Sequence, residues 1–196
     1  MSNTVRKLSV IALVESAILA AAAIVLVLLR FEAPWGQGGE ISLIMLPIII
    51  IALRRGPAWG VGAGIVTGTI YWLIFTRATI HWGMIFLDFV IAFGIIGLVG
   101  FLRYAFVRRG APISIARAVI AVITATLAAG ILRFTSHFIG GILFWYDYAP
   151  EGQAVWLYSL GYNSSYLLPT IALTLAVIIP LTIVKQTRKL IFNESL

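Results

Sequence analysis

Long apolar runs alternate along the chain with short basic or aromatic clusters, and the lengths of the runs set the architecture. A bilayer core about 30 Å thick needs roughly 20 apolar residues at 1.5 Å of helix rise each. Six spans follow, at residues 8–29, 38–53, 57–75, 82–101, 113–145 and 157–184. Glu15 interrupts the first, Asp88 the fourth and Arg117 the fifth, while Pro169 and Pro180 lie in the sixth. The second run proper, Ile41 to Leu53, would make only about 20 Å of helix. It must be extended through Gly38 to Glu40 or be shortened against neighbouring helices.

Composition turns these spans into a membrane protein. Of 196 residues, 61% are hydrophobic and 11% charged, too few polar groups to coat a soluble globule. The expected fold is all-α, a single six-helix membrane domain over residues 1–196. A net charge of +7 raises nucleic acid as a partner, but the basic residues sit in small groups between apolar runs. That arrangement suits loops on one membrane face, so lipid rather than nucleic acid is the expected surrounding. Placing both termini in the cytoplasm puts ten of the fourteen Lys and Arg residues inside. Cysteine is absent, which removes disulfides and thiolate chemistry.

On that orientation the outer half is chemically rich. Trp35, Trp82, Trp145, Trp156, Tyr146, Tyr148, Tyr158 and Tyr162 gather there with His81, His137, Asp88 and Asn163. An aromatic belt would explain single rings, yet belts form at both interfaces. Asp88 is the most informative position, since a carboxylate inside an apolar span normally faces a partner or a cavity. An ion pair with Arg133, a protonated acid and a ligand contact are all open. Arg133, His137, Gly141 and Trp145 recur every four residues and form one helical stripe. Tyr158 and Asn163, five apart, line one pocket only if it is wide or the helix start irregular. Glu15 reads as structural, within reach of the interface or Arg117. Alanines 17 and 20–23, and Gly60, Gly64 and Gly68, make smooth surfaces for helix packing or for another subunit. No P-loop, GxSxG elbow or HExxH pair is present, so neither enzyme activity nor a resident metal or cofactor is expected.

The stretch Arg133 to Pro169, RFTSHFIGGILFWYDYAPEGQAVWLYSLGYNSSYLLP, closely resembles the thiamine-specific S component of energy-coupling factor (ECF) vitamin transporters. ALRRG at Ala52 to Gly56, LDFVIAFGIIGLVG at Leu87 to Gly100 and VESAILAAAA at Val14 to Ala23 agree with it. The resemblance implies a bacterial plasma-membrane subunit that captures thiamine outside the cell. A transmembrane coupling (T) component and two cytoplasmic ATPases would then drive ATP-dependent uptake. It also implies that Asp88 faces the cationic ligand, that Trp145 stacks on it, and that His137, Tyr158 and Asn163 complete the site. Tyr71 takes an aromatic position on the third helix, Trp35 and Glu40 lie in the covering loop, and Ala17 and Ala21 face the coupling protein. Asp88 stands where Glu is usual and Phe89 where Tyr is usual. An S component for a related precursor, an ion-coupled carrier with Asp88 as coupling acid, and a ligand-free membrane protein are the competing readings.

Overall fold

The computed structural model describes residues 3–32, 39–76, 81–107 and 112–192, with side chains of the first helix from Val10 onward. The apolar runs become helices α1 (Asn3–Val27), α2 (Met45–Arg55), α3 (Pro57–Phe75), α4 (Trp82–Phe106), α5 (Ile115–Phe144) and α6 (Val155–Ile183). A short α7 (Lys185–Phe192) follows. Five of these, all but α2 and α7, are long and apolar enough to cross a bilayer. Large apolar side chains such as Leu13, Ile18, Leu73, Ile131 and Leu168 face outward, as lipid-facing surfaces do. The protein is a multi-pass membrane protein of mainly helical fold.

The second span departs from the expected extension. Glu40 and Ile41 are not helical but form strand β2, paired antiparallel with β1 (Phe31–Glu32), Glu32 opposite Glu40. The other alternative holds, because α2 is shortened against its neighbours. Met45, Ile48, Ile49, Ile51, Ala52 and Leu53 are each at most 1% exposed, so α2 is a central core helix sheathed by others. Its side chains meet protein rather than lipid, and its last carbonyls accept from Arg103, so 11 residues suffice. Phe93 and Ile96 of α4, Val122 and Ala125 of α5, and Ile178 of α6 complete the core around it.

Small residues set how closely α3 and α4 approach. A Cβ on Gly64 would run into the Phe93 carbonyl, one on Gly68 into the Phe89 carbonyl, and one on Gly100 would lie 2.5 Å from Pro57 N. The glycine surface of α3 is thus consumed inside the chain, which resolves the choice between internal packing and another subunit. Ala20 and Ala23 of α1 are likewise buried, whereas Ala17 and Ala21 are exposed.

Helix α4 is wound unevenly, with a π-helical stretch over Ile85–Ile91 and a 3-10 stretch over Ile95–Phe101. At the opposite end of the bundle from β1 and β2, Glu15 accepts from Arg54 Nη2 at 2.6 Å and from Arg55 Nε at 2.6 Å. These, not Arg117, are its partners. Arg54 also donates to the Leu190 carbonyl, and Arg103 to the carbonyls of Leu53 and Arg54. With Ile191 and Phe192 buried, α7 is tied back under the end of α2.

Candidate functional site

Polar side chains from β2, α3, α4, α5 and α6 converge near the end of the bundle that carries the β1–β2 pair. They line one shared cavity of about 100 Å3. Of the residues expected in the site, Asp88, His137, Trp145, Tyr158, Asn163, Tyr71 and Glu40 all line it. Trp35 lies outside the described residues.

Asp88 comes from the π-wound turn of α4 and is 8% exposed. Such turns are rare and concentrate at functional sites, because the widened backbone re-aims side chains. Ser136 of α5 reaches into this turn and donates to the Leu87 carbonyl at 2.5 Å. Asp88 itself does not pair with Arg133. Its Oδ2 accepts from Trp145 Nε1 at 2.9 Å, and its Oδ1 lies 3.3 Å from His137 Nδ1. A Cβ on Gly140 would sit 2.6 Å from Oδ1, so the glycine makes room for the carboxylate.

The tautomer of His137 follows from its neighbours. Arg133 Nε donates to His137 Nε2 at 3.2 Å, so Nε2 is an acceptor and the proton resides on Nδ1, where it meets Asp88. Arg133, His137 and Asp88 thus form a directed chain, with the Trp145 indole closing it from the outer end. The stripe expected on α5 is present, although α5 ends at Phe144 and Trp145 caps it with a non-helical φ of −118°.

The opposite wall centres on Glu40, which accepts from Tyr71 Oη at 2.7 Å and Ser42 Oγ at 3.0 Å and lies 3.3 Å from Arg30 Nε. Burial pushes its carboxyl above the ordinary value, against the opposing pull of Tyr71, Arg133, Ser42 and Arg30. Tyr71 packs its ring on Phe89 and Phe93, each at 5.7 Å.

On α6, Tyr158, Tyr162 and Tyr166 form a ladder of rings at 5.9 and 5.7 Å. Asn163 is committed inward, its Nδ2 donating to Ser159 O at 2.9 Å and its Oδ1 accepting from Tyr166 Oη at 2.6 Å. What the amide offers the cavity is the second lone pair of its oxygen. The start of α6 is regular helix, so Tyr158 and Asn163 share the site because it is wide. Tyr162 also accepts from Gly39 N–H at 2.9 Å, fixing the chain just before β2. His81 stays outside, stacked on Phe144 at 4.8 Å and capping the start of α4. Trp82, Tyr146, Tyr148 and Trp156 are exposed, as an interfacial belt would be. Among the described residues no three His, Cys, Asp or Glu gather as metal ligands would.

A profile of the thiamine transporter protein family matches residues 13–191. The chain belongs to this family. The thiamine transporter ThiT of Bacillus subtilis is 32% identical over 159 residues, covering 81% of this chain and 83% of the relative. ThiT of Lacticaseibacillus paracasei is 30% identical over 187 residues, covering 90% and 89%. The solved structure of ThiT from Listeria monocytogenes superposes with a TM-score of 0.82 at 27% identity, covering 93% of this chain and 98% of that one. Like the rest of this transporter family, then, the chain is a bacterial cell-membrane protein and not an enzyme.

Sequence reasoning did not assign Tyr162, Tyr166, Ser159 and Phe93 to the site of this family member. For the two tyrosines a signal existed, since Tyr158, Tyr162 and Tyr166 lie four apart on one helical face. Ser159 and Phe93 are unremarkable residue types in apolar spans and carried none.

Proposed function

We propose that this chain is the thiamine-binding S component of an ECF-type importer. It captures thiamine on the extracellular side and hands it to a separate transmembrane coupling component driven by two cytoplasmic ATPases. The observation that carries the reading is the Asp88 carboxylate, held between an imidazole and an indole in the cavity wall. A thiazolium cation is attracted by a carboxylate in a low-dielectric site, and an indole gives it a stacking face. Tyr158 and Asn163 meet the donors and acceptors of the aminopyrimidine, His137 and Tyr71 hold the two carboxylates in place, and Trp35 and Glu40 cover the ligand. In this reading the chain is one domain with six spans, α2 among them, and both termini are cytoplasmic. The exposed Ala17 and Ala21 face the coupling component, and ATP is used by the partners alone.

The test is a titration of the purified protein with thiamine, followed by tryptophan fluorescence. Saturable quenching that is lost in Trp145→Ala is expected; no quenching, or the same response in the variant, would overturn the reading.

A further inference from the structure

Arg133 holds a buried guanidinium with more donors than the described residues give it partners. It lies on α5 one turn from His137 and is 4% exposed, yet lines the cavity. Nε is used on His137, and the guanidinium carbon lies 4.6 Å from the centroid of the Phe93 ring. Nη1 is buried and has no hydrogen-bond partner among the described residues. Buried donors are almost always paired, and one in a cavity wall is paired by what fills the cavity.

The charges around the cavity define the kind of group it takes. Among the lining groups two carboxylates, Asp88 and Glu40, face one guanidinium, with His137 in its neutral tautomer; Arg30, outside the lining, is shared between Glu32 at 2.5 Å and Glu40 at 3.3 Å. The surplus is negative, which suits a monocation whose remaining polar atoms are neutral. An anionic group reaching Arg133 would also meet both carboxylates in a poorly screened space.

We infer that Arg133 is a further binding and specificity-determining residue, whose Nη1–H donates to a neutral acceptor on the ligand, a ring nitrogen or a hydroxyl oxygen. Asp88 and Trp145 meanwhile hold the cationic ring. This rests on the thiamine reading and adds a contact that the reading does not contain.

A double-mutant cycle between protein and ligand tests it. Dissociation constants are measured for the wild type, Arg133→Met and Arg133→Lys with thiamine and three analogues. One has the hydroxyl removed, one has a pyrimidine ring nitrogen replaced by C–H, and the third is the monophosphate. The wild type is expected to bind one of the first two analogues about tenfold more weakly than thiamine, and Arg133→Met to lose that difference. The analogue that couples identifies the acceptor. Arg133→Lys, which keeps a cation, shows whether the change comes from the missing donor geometry or from a collapsed fold. If both analogues keep the same ratio in wild type and variants, Arg133 touches neither atom and the inference is wrong. Tighter binding of the monophosphate that disappears in Arg133→Met would overturn the neutral acceptor. Failure of the wild type to bind thiamine at all would instead overturn the functional reading.

Discussion

The indole of Trp145 and the carboxylate of Asp88 are joined by a 2.9 Å hydrogen bond between residues 57 apart in the chain. On the proposed function the same indole is the aromatic face offered to a cation, its edge positioning the acid while its plane serves for stacking. Stacking face and counter-charge therefore move as one unit.

Asp88→Asn keeps an oxygen that can accept from Trp145 but removes the charge. Thiamine binding is expected to weaken by about 1 to 3 kcal/mol, the scale of a charge-assisted contact. Fluorescence titration measures it, and an unchanged dissociation constant would take Asp88 out of the ligand contacts.

Gly140→Ala places a methyl against the Asp88 carboxylate, 2.6 Å from Oδ1 as it now lies. The obstacle is the end of a side chain rather than backbone, so the carboxylate yields and the fold persists. The expected result is a small change in melting temperature beside a loss of roughly tenfold in thiamine affinity. A variant that melts much earlier but binds normally would contradict this.

Gly64→Ala meets the backbone carbonyl of Phe93, which cannot yield without separating α3 from α4. A loss of about 1 to 3 kcal/mol is expected, the usual cost of overpacking. Gly62→Ala, on the same helix with nothing within 4 Å of its Cβ, is the control and should be neutral or slightly stabilising. Thermal unfolding followed by tryptophan fluorescence distinguishes them, and equal melting temperatures would refute the packing account.

Glu15→Gln leaves the guanidiniums of Arg54 and Arg55 without their shared carboxylate. Because Glu15 is partly exposed, at 24% for its side chain, the cost should be about 1 to 3 kcal/mol, less than for a fully buried pair. Thiamine affinity should not change, since the pair lies at the far end from the cavity. A fall in affinity with unaltered stability would show that the two ends are coupled.

Asp88, His137 and Trp145 were legible in the sequence because each is costly or conspicuous in an apolar run, and the four-residue spacing on α5 placed two of them together. The spans were legible for the same reason, apart from the second. Hydropathy gives the length of an apolar run but not what surrounds it, and α2 is short because other helices sheathe it. Extension of that helix through Glu40 is one of the two options the sequence leaves, and the structure takes the other: the local chain is a strand, and the Glu40 carboxylate meets Tyr71, Ser42 and Arg30. The sequence offers Glu15 the interface or Arg117, whereas the structure pairs it with Arg54 and Arg55, because spacing within a helix says nothing of which neighbour lies alongside. Arg133 was seen as a member of the stripe, but its unpaired donor appears only when side chains are placed.

The uneven winding of α4 also sets how its two halves relate. Seven residues of underwound helix at Ile85–Ile91 are followed, after three of ordinary helix, by seven that are overwound. The two deviations have opposite sense, so the lag beside Asp88 is opposed by an advance before Arg103. Gly97 and Gly100 face α3, and Arg103 reaches the Leu53 and Arg54 carbonyls at the end of α2. The phase of the cavity residues can differ from that of the packing residues because the helix corrects itself between them. Deleting one residue from the underwound stretch would break that correction and turn everything beyond it by about 100°.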